Sequence, residues 1–263
     1  MLTEATGISD ASPRRRIVIV GATSAMAEHC ARRWLLETPD CELILLGRDA
    51  GRLQRVAGDL QVRAPQARIS CRALDFTDPA AIAGAAADCS QPRAPDLVLI
   101  AHGLLPDQTQ AQEDLALARL TLEVNGISPV LFAEAFVSRM QGVEGARLAL
   151  IGSVAGDRGR QSNYVYGAAK GLLERYAEGL QHRLALRGHP LRVVLVKPGP
   201  TATPMTAAME GGPGSLASVE AVADGIVKGV AQGRAVVYVP GKWRLIMAVI
   251  RRLPRLLMHR LKI

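Results

Sequence analysis

The chain has 263 residues, of which 49% are apolar and 3% aromatic, and its formal net charge is +8. This length suits one large α/β domain with a sizeable core. The scarcity of aromatic side chains argues against a base-stacking binder, so we expect no nucleic-acid partner. The four cysteines form no Cys-x-x-Cys pair and predict neither a disulfide framework nor a metal site.

The positive charge is concentrated at the end of the chain. No Asp or Glu follows Asp224, and residues 225–263 contain nine Lys and Arg, which leaves the rest of the chain close to neutral. This distribution predicts that the tail meets a membrane surface or an anionic ligand. The first residues lack the apolar core of a secretory signal, so we expect a cytoplasmic location, peripheral to the inner face of the membrane if the tail binds lipid.

Three regions follow from composition. Residues 1–13 are small and polar and are predicted to be disordered, 14–240 are predicted to form a single α/β domain, and 241–263 are predicted to form a basic amphipathic segment. Short runs of β-branched residues without alternation predict buried parallel strands. The predicted strands are 17–20, 41–46, 68–74, 96–101, 146–151, 191–196 and 235–239, and the predicted helices are 25–37, 50–62, 78–88, 113–140 with a break near Gly126 and Pro129, 162–187, 219–231 and 241–262 with a break at Pro254.

Alternation of strands and helices predicts an α/β fold with a doubly wound parallel sheet. The sheet is Rossmann-like with about seven strands, and an amphipathic helical tail follows it. The segment 198–213 is rich in Pro and Gly and is expected to form a loop over a site.

The first strand leads into a turn typical of a dinucleotide site, because the helix that follows offers free N–H groups to a pyrophosphate. The glycine pattern is only partly met, since Ala25 and Ala27 occupy the two later glycine positions. An ordinary strand-to-helix turn is the alternative. The candidate cofactor residues here are Gly21, Thr23, Ser24, Ala25 and Met26.

Arg48 follows the second strand, where the adenosine ribose lies in such folds. An arginine can bind a 2′-phosphate, which favours NADP(H), while the adjacent Asp49 keeps NAD(H) as the alternative. Asp75, after the third strand, is a candidate acceptor for the adenine amino group or else a turn residue. Its neighbour Phe76 is assigned to the same end of the cofactor site.

Tyr166 and Lys170 are four residues apart, which places them on one helix face. The ammonium is expected to lower the pKa of the phenol toward the working pH, so that Tyr166 can donate a proton. Ser153 ends an apolar run and can reach the same point. Together the three side chains predict protonation of a carbonyl oxygen.

These motifs stand in one order with LDFTD at 74–78, Asn125, and KPGPTAT at 197–203. The chain from Arg16 to Val239 resembles the short-chain dehydrogenase/reductase family. The resemblance implies a ketone substrate and a catalytic set of Ser153, Tyr166, Lys170 and Asn125. Asn125 would anchor a water that returns the proton through Lys170. The resemblance also places Ala101, Gly103, Tyr166, Lys170, Pro198, Gly199 and Thr203 at the cofactor.

The chain departs from the family where Asn-Asn-Ala-Gly is usual and Ile100-Ala-His-Gly103 is found. His102 is either an acid or base, or a structural or cofactor-adjacent residue. The segments AHGLL at 101–105 and SNYVYG at 162–167, with the basic tail, resemble the decaprenylphosphoryl-2-keto-ribose reductases. That resemblance implies a 2-keto pentofuranose carried on a polyprenyl phosphate and a flavin oxidase as partner. The family resemblance implies a homodimer or homotetramer that is assembled through the helices 113–140 and 162–187.

The tail has two interpretations. In one it packs on the core or on a second subunit, and in the other it is a basic interfacial helix on anionic lipid. Three functions remain: a membrane-peripheral NADPH ketoreductase, a soluble reductase of a small ketone or acyl substrate, and a non-catalytic NADP-binding regulator. The apolar side is predicted as Ile246, Ile250, Leu253 and Leu257, and the charged side as Arg252, Arg255, His259 and Lys262.

Overall fold

The computed structural model describes residues 14–207 and 216–261. The predicted disorder of residues 1–13 therefore lies outside the described residues. Within them, seven strands form one sheet in the order β3-β2-β1-β4-β5-β6-β7, and every pairing is parallel. The strands are β1 Arg16–Val20, β2 Glu42–Gly47, β3 Arg68–Ala73, β4 Leu97–Ile100, β5 Arg147–Ile151, β6 Arg192–Pro198 and β7 Val236–Val239.

Ten α-helices connect and cover these strands in the described part of the chain. The alternation confirms the predicted doubly wound α/β fold with a helical tail. The helices are α1 Ala25–Glu37, α2 Ala50–Arg63, α3 Pro79–Cys89, α4 Gln108–Glu113, α5 Leu115–Leu122, α6 Ser128–Val137, α7 Tyr164–Leu186, α8 Val219–Ala231, α9 Lys242–Arg252 and α10 Arg255–Met258.

The two faces of the sheet carry separate cores. Residues of α1, α2 and α8 pack on one face, and residues of α3, α6 and α7 pack on the other. Strands buried on both faces need no alternation of polar and apolar residues, which explains the runs in β1 and β4. The strand order reverses between β1 and β4, where Val20 pairs with Ile100 on one side and Leu46 on the other. Such a reversal opens a crevice at the carboxyl ends of the strands.

The predicted helix at 113–140 is divided into α5 and α6, and only its first residue, Glu113, belongs to α4. A π-helical turn, Glu123–Ile127, joins α5 to α6 close to the predicted break near Gly126. The combined segment Leu115–Val137 has the length and apolar composition of a membrane span, with a mean hydropathy of 1.3. However, 56% of its 18-residue apolar window is buried inside the fold, where the side chains of Phe132 and Phe136 are fully buried.

The tail docks on the domain through a face that only partly matches the predicted one, since Ile250 and Leu253 are partly buried as expected. Met247 is fully buried and Trp243 and Ile250 are partly buried, whereas Ile246 and Leu257 are exposed. The prediction of the apolar side was therefore wrong for these two residues. It failed because the helix has apolar residues on two faces, and the sequence alone does not show which face packs against β7.

Candidate active site

Tyr166 and Lys170 lie one turn apart on α7, as predicted from their spacing. The Lys170 side chain is almost fully buried, and its Nζ donates to the carbonyl oxygen of Ile151 at 2.9 Å. The same Nζ lies 5.7 Å from the centroid of the Tyr166 ring. The hydrogen bond to the end of β5 fixes the ammonium beside the phenol.

Ser153 follows β5 and caps a short 3₁₀ turn, Val154–Gly156, by accepting from the Ala155 N–H at 3.1 Å. This turn packs directly against the backbone of α7. A methyl group at Gly156 would lie 2.8 Å from the carbonyl carbon of Lys170, so glycine permits the approach. The approach brings the Ser153 hydroxyl within hydrogen-bonding reach of Tyr166.

The expected lowering of the Tyr166 pKa was wrong for the protein alone. Burial raises the pKa of Tyr166 to about 12, and the hydrogen bond with Ser153 offsets only part of this rise. Burial likewise lowers the pKa of Lys170 to about 8. Desolvation therefore outweighs the attraction between the two groups, and the phenol keeps its proton throughout the neutral range. A protonated phenol is the form that a proton donor requires.

Asn125 lies fully buried in the π-helical turn and is held by three hydrogen bonds. Its Nδ2 donates to the carbonyl oxygens of Leu104 and Thr121, and its Oδ1 accepts from the Leu104 N–H. Both amide protons are thereby used within the protein. The role of Asn125 as a water anchor stays a prediction, and a water could use only the second lone pair of Oδ1 or the main chain.

The first turn has the shape that a pyrophosphate requires. Gly21 has φ of 83°, and a Cβ there would lie 2.6 Å from the His102 backbone nitrogen, so only glycine fits. Ser24 precedes α1 and makes no side-chain cap, which leaves the first N–H groups of the helix available for an anion. Ala27 is fully buried against the sheet, where its methyl group replaces the usual glycine.

Arg48, Asp75 and Phe76 lie at the ends of β2 and β3. Arg48 is exposed, while Asp49 accepts from the Arg52 N–H and caps α2, so Asp49 is already used as a helix cap. Asp75 accepts from the N–H and hydroxyl of Thr77, and these bonds lower its pKa. The Phe76 side chain points into the core, so its predicted contact with the cofactor can involve only its main chain.

His102 is buried and neutral. Its Nε2 lies 2.9 Å from the Ser128 hydroxyl, and its ring packs edge-on against Phe76 and Phe132. Burial, together with the positive charges of Lys170 and Arg48, lowers the pKa of His102 to about 3. Of the two predicted roles for His102, this environment favours the structural or cofactor-adjacent one.

The segment after β6 is braced by the tail. Gly199 donates to the Val239 carbonyl oxygen at 2.9 Å, and Thr201 donates to the Gly199 carbonyl oxygen at 2.9 Å. A methyl group at Gly199 would overlap the indole of Trp243. Thr203 and Thr206 cap a short 3₁₀ turn, Pro204–Thr206.

A buried ionic cluster lies beneath this segment. Lys197 of β6 donates to Asp157 and, at 2.6 Å, to Glu174 of α7, and Tyr238 of β7 donates to Asp157 at 3.0 Å. Burial alone would lower the pKa of Lys197, but the two carboxylates raise it. The cluster ties the segment after Ser153 to α7, β6 and β7. No sequence pattern indicated this cluster, because its hydrogen-bonded partners lie 23 to 81 positions apart in the chain.

A cavity of about 180 Å³ lies at the carboxyl edge of the strands. It is also lined by Arg160, which the sequence did not indicate, and by Ser162 and Asn163, which the sequence indicated only as part of the SNYVYG segment. The predicted site residues Gly21, Thr23, Ala25, Arg48, Asp75 and Phe76 lie outside this cavity. The predicted residues that line it are Ser24, Met26, Ala101, Gly103, Asn125, Ser153, Tyr166, Lys170, Pro198, Gly199 and Thr203.

Proteins of similar sequence match this chain over nearly its whole length. An uncharacterised oxidoreductase of Streptomyces coelicolor is 32% identical over 262 residues, which cover 96% of this chain and 98% of that protein. An uncharacterised oxidoreductase of Mycobacterium tuberculosis is 30% identical over 246 residues, which cover 93% of this chain and 96% of that protein.

A similar fold occurs in a short-chain dehydrogenase of Burkholderia cenocepacia, whose crystal structure contains NADP. The two structures have a TM-score of 0.78 at 21% identity, and the match covers 94% of this chain and 97% of the other. The family model described as short chain dehydrogenase matches residues 15–212 of this chain. The chain therefore belongs to the short-chain dehydrogenase family and is a nicotinamide-dependent oxidoreductase.

Proposed function

We propose that this protein is an NADPH-dependent reductase that converts a ketone to an alcohol. The observation that carries the proposal is that Ser153, Tyr166 and Lys170 line one cavity with Ser24 and Met26 of the first turn. The uncapped start of α1 suits a pyrophosphate, and Arg48 is exposed near Asp75 and free to meet a 2′-phosphate. These features fit NADP(H), which supplies the hydride when bound.

The residues of the chain perform the proton chemistry. Ser153 donates a hydrogen bond to the carbonyl oxygen and stabilises the negative charge that develops there. Tyr166 is protonated at neutral pH and delivers its proton to the same oxygen. Lys170 lies beside the phenol and favours the tyrosinate that remains. Asn125 braces Leu104 and so holds the wall of the cavity next to Gly103.

The experiment is to measure NADPH oxidation at 340 nm with a panel of ketones. Tyr166→Phe should keep NADPH binding and lose at least about a thousandfold in kcat, because the proton donor is removed. Tyr164→Phe is the matched control, since Tyr164 lies in the first turn of the same helix and is exposed. Equal turnover by the Tyr166→Phe variant and the wild type would contradict the assignment.

The finer proposal is that the ketone is a 2-keto pentose on a polyprenyl phosphate, made by a flavin oxidase at the cytoplasmic face of the membrane. The exposed side of helix α9 in the tail supports this finer proposal. Lys242, Leu245, Val249 and Arg252 are all exposed and recur at helical spacing along one side of α9, with Leu245 at 74% and Val249 at 63%. An apolar stripe with a cation at each end suits the surface of an anionic bilayer.

Truncation at Gly241 is a poor test of membrane binding, because it also removes the buried Met247 and the partly buried Trp243. The double variant Leu245→Ser/Val249→Ser leaves those contacts intact. In co-sedimentation with phosphatidylglycerol vesicles, the wild type should bind and the double variant should lose most of its binding. Val62→Ser, an equally exposed site on α2, is the control. Equal binding by all three proteins would exclude the stripe as a membrane contact.

The second candidate is a soluble reductase of a small ketone or acyl substrate. The observation that favours it is the docking of the tail, since Met247 and Trp243 give α9 a structural role without any membrane. Under this alternative the wild type does not bind anionic vesicles and reduces water-soluble ketones. The vesicle experiment and the ketone panel therefore separate the two candidates.

We also propose that the protein forms homodimers or homotetramers through α5 and α7. Leu115, Leu120 and Leu172 are exposed on these adjacent helices. Burying such leucines between two copies would stabilise an assembly. Leu172→Glu should reduce the mass measured by light scattering to that of a monomer, and an unchanged mass would contradict this interface.

A further inference from the structure

The cavity beside Ser153 and Tyr166 carries positive charge without a balancing negative charge. Its titratable lining residues are His102, Arg160, Tyr166 and Lys170, and no Asp or Glu lines it among the residues that the structure describes. His102 is neutral above about pH 3 and Tyr166 below about pH 12. The charge of the cavity at neutral pH therefore comes from Lys170 and Arg160.

The Lys170 ammonium is already engaged. It donates to the Ile151 carbonyl oxygen and lies beside the Tyr166 ring, beneath the reacting position. Arg158, two residues before Arg160, is engaged as well, since it donates to the carbonyl oxygens of Ile250 and Arg251 at the end of α9. Of these cationic side chains, Arg160 is the one that makes no such hydrogen bond within the described residues.

No carboxylate in 14–207 or 216–261 forms an ion pair with Arg160, and its buried Nε has no hydrogen-bond partner in those ranges. The Asp157 carboxylate is close enough to influence it, but Lys197 binds one of its oxygens and Tyr238 the other. Burial lowers the pKa of Arg160, and Asp157 offsets part of that effect. A guanidinium that is partly desolvated and unpaired costs free energy, which an anionic ligand would recover.

The position of Arg160 suits a substrate contact. The residue lies in the segment between Ser153 and Tyr166, and it shares the cavity wall with Ser162 and Asn163. The start of α1, which suits the pyrophosphate, approaches the cavity at Ser24 and Met26. A guanidinium binds phosphate through two parallel hydrogen bonds, which gives direction as well as attraction.

We propose that Arg160 binds a phosphate group of the substrate, so that the protein reduces a phosphorylated carbonyl compound. This inference rests on the proposed function and narrows its substrate class. Arg160 is then a specificity-determining residue, while Ser153 and Tyr166 act on the carbonyl oxygen. The phosphate could belong to a soluble sugar phosphate or to a polyprenyl phosphate.

The test is calorimetric binding to the full chain loaded with NADP⁺, which prevents reduction of the probe. The probes are dihydroxyacetone phosphate, dihydroxyacetone, and geranyl phosphate as a short polyprenyl phosphate. The variants are Arg160→Gln, Arg160→Lys, and Arg187→Gln, which makes the same charge change at an exposed residue after α7. Circular dichroism and NADP⁺ affinity show that each variant is folded.

Arg160→Gln should weaken binding of both phosphates by about tenfold or more, because a charged hydrogen bond is lost. Arg160→Lys should restore part of it, and Arg187→Gln should match the wild type. Tighter binding of geranyl phosphate than of dihydroxyacetone phosphate assigns the phosphate to a lipid, and the reverse assigns it to a soluble compound. Equal affinity of the wild type for dihydroxyacetone and its phosphate, or no effect of Arg160→Gln, overturns the inference.

The NADPH oxidation assay, carried out beside this titration, separates this inference from the proposed function. If Arg160→Gln loses phosphate binding and the wild type reduces no ketone, the results support the anion site and exclude the reductase function. If reduction of both phosphorylated and neutral ketones depends on Tyr166 but not on Arg160, the results support the reductase function and exclude the anion site.

Discussion

Trp243 of the C-terminal helix packs directly over Gly199, which follows the strand that carries Lys197. The tail is therefore part of the wall that supports the site. Gly199 donates to the Val239 carbonyl oxygen, and Met247 anchors the same helix in the core. Removing the indole should loosen the segment from Pro198 to Thr206.

We expect Trp243→Ala to lower the free energy of unfolding by about 2 kcal/mol, because a half-buried indole loses its packing. For a chain of this size that corresponds to roughly 5 °C in Tm. The KM for NADPH should rise several-fold with a smaller change in kcat. Leu245→Ala, on the exposed face of the same helix, should change stability by less than about 0.5 kcal/mol. A Trp243→Ala variant as stable as Leu245→Ala would show that the tail does not brace the site.

Lys170 should set the alkaline limit of activity. Its pKa is lowered to about 8, whereas that of Tyr166 is raised to about 12, so the ammonium loses its proton first. We expect kcat/KM for ketone reduction to fall about tenfold per pH unit above about pH 8. Lys170→Arg keeps its charge and should move this limit upward. A pH profile identical in the wild type and Lys170→Arg would assign the limit to another group.

The same shift affects stability in a defined direction. Between about pH 8 and the ordinary lysine pKa of 10.5, the unfolded chain binds a proton at Lys170 that the folded chain has released. The contribution of Lys170 to stability therefore rises with pH across this window, and the cost of its buried charge is fully present below it. In denaturation measured as a function of pH, Lys170→Met should abolish this rise in the free energy of unfolding. Lys228→Met, a substitution on α8, should leave the rise unchanged.

Arg48 should determine the preference for NADPH over NADH. Arg48→Ala should raise the KM for NADPH by about tenfold to a hundredfold and leave that for NADH nearly unchanged, because only NADPH has the 2′-phosphate. Arg55→Ala is the control, since Arg55 is an exposed arginine on α2. Equal effects of Arg48→Ala on both cofactors would exclude a contact with the 2′-phosphate.

His102 should have no titration that is visible in activity. Because burial lowers its pKa to about 3, kcat/KM should be flat from pH 5 to 7 in the wild type. His102→Leu should cost about 1 to 2 kcal/mol of stability through the lost hydrogen bond to Ser128, without a change in the shape of the profile. A limb near pH 6 that disappears in His102→Leu would instead identify His102 as an acid or base.

The sequence predicted the parts of the molecule that depend on local pattern. The runs in β1 and β4 predicted buried parallel strands, and the spacing of Tyr166 and Lys170 predicted one helix face. Both features need only the geometry of a single element.

The features that the sequence did not predict depend on distant contacts. Lys197 meets Asp157 across 40 positions, and Arg160 enters the cavity because the segment after Ser153 folds back on α7. The pKa of Tyr166 is likewise raised because the folded chain buries its side chain, and the spacing of residues in the sequence does not show this burial.

The π-helical turn that holds Asn125 contains one residue more than an α-helical turn requires. Deleting a single residue from 123–127 would restore a regular helix and leave α5 and α6 facing the same way, because a π-helical turn accommodates its extra residue locally. The Thr121 carbonyl oxygen would then accept from the main-chain N–H four residues later, so the Asn125 amide would lose this partner and the brace on Leu104 would weaken. The geometry of the site therefore restricts insertions and deletions in this helix, although the helix itself could form with one residue fewer.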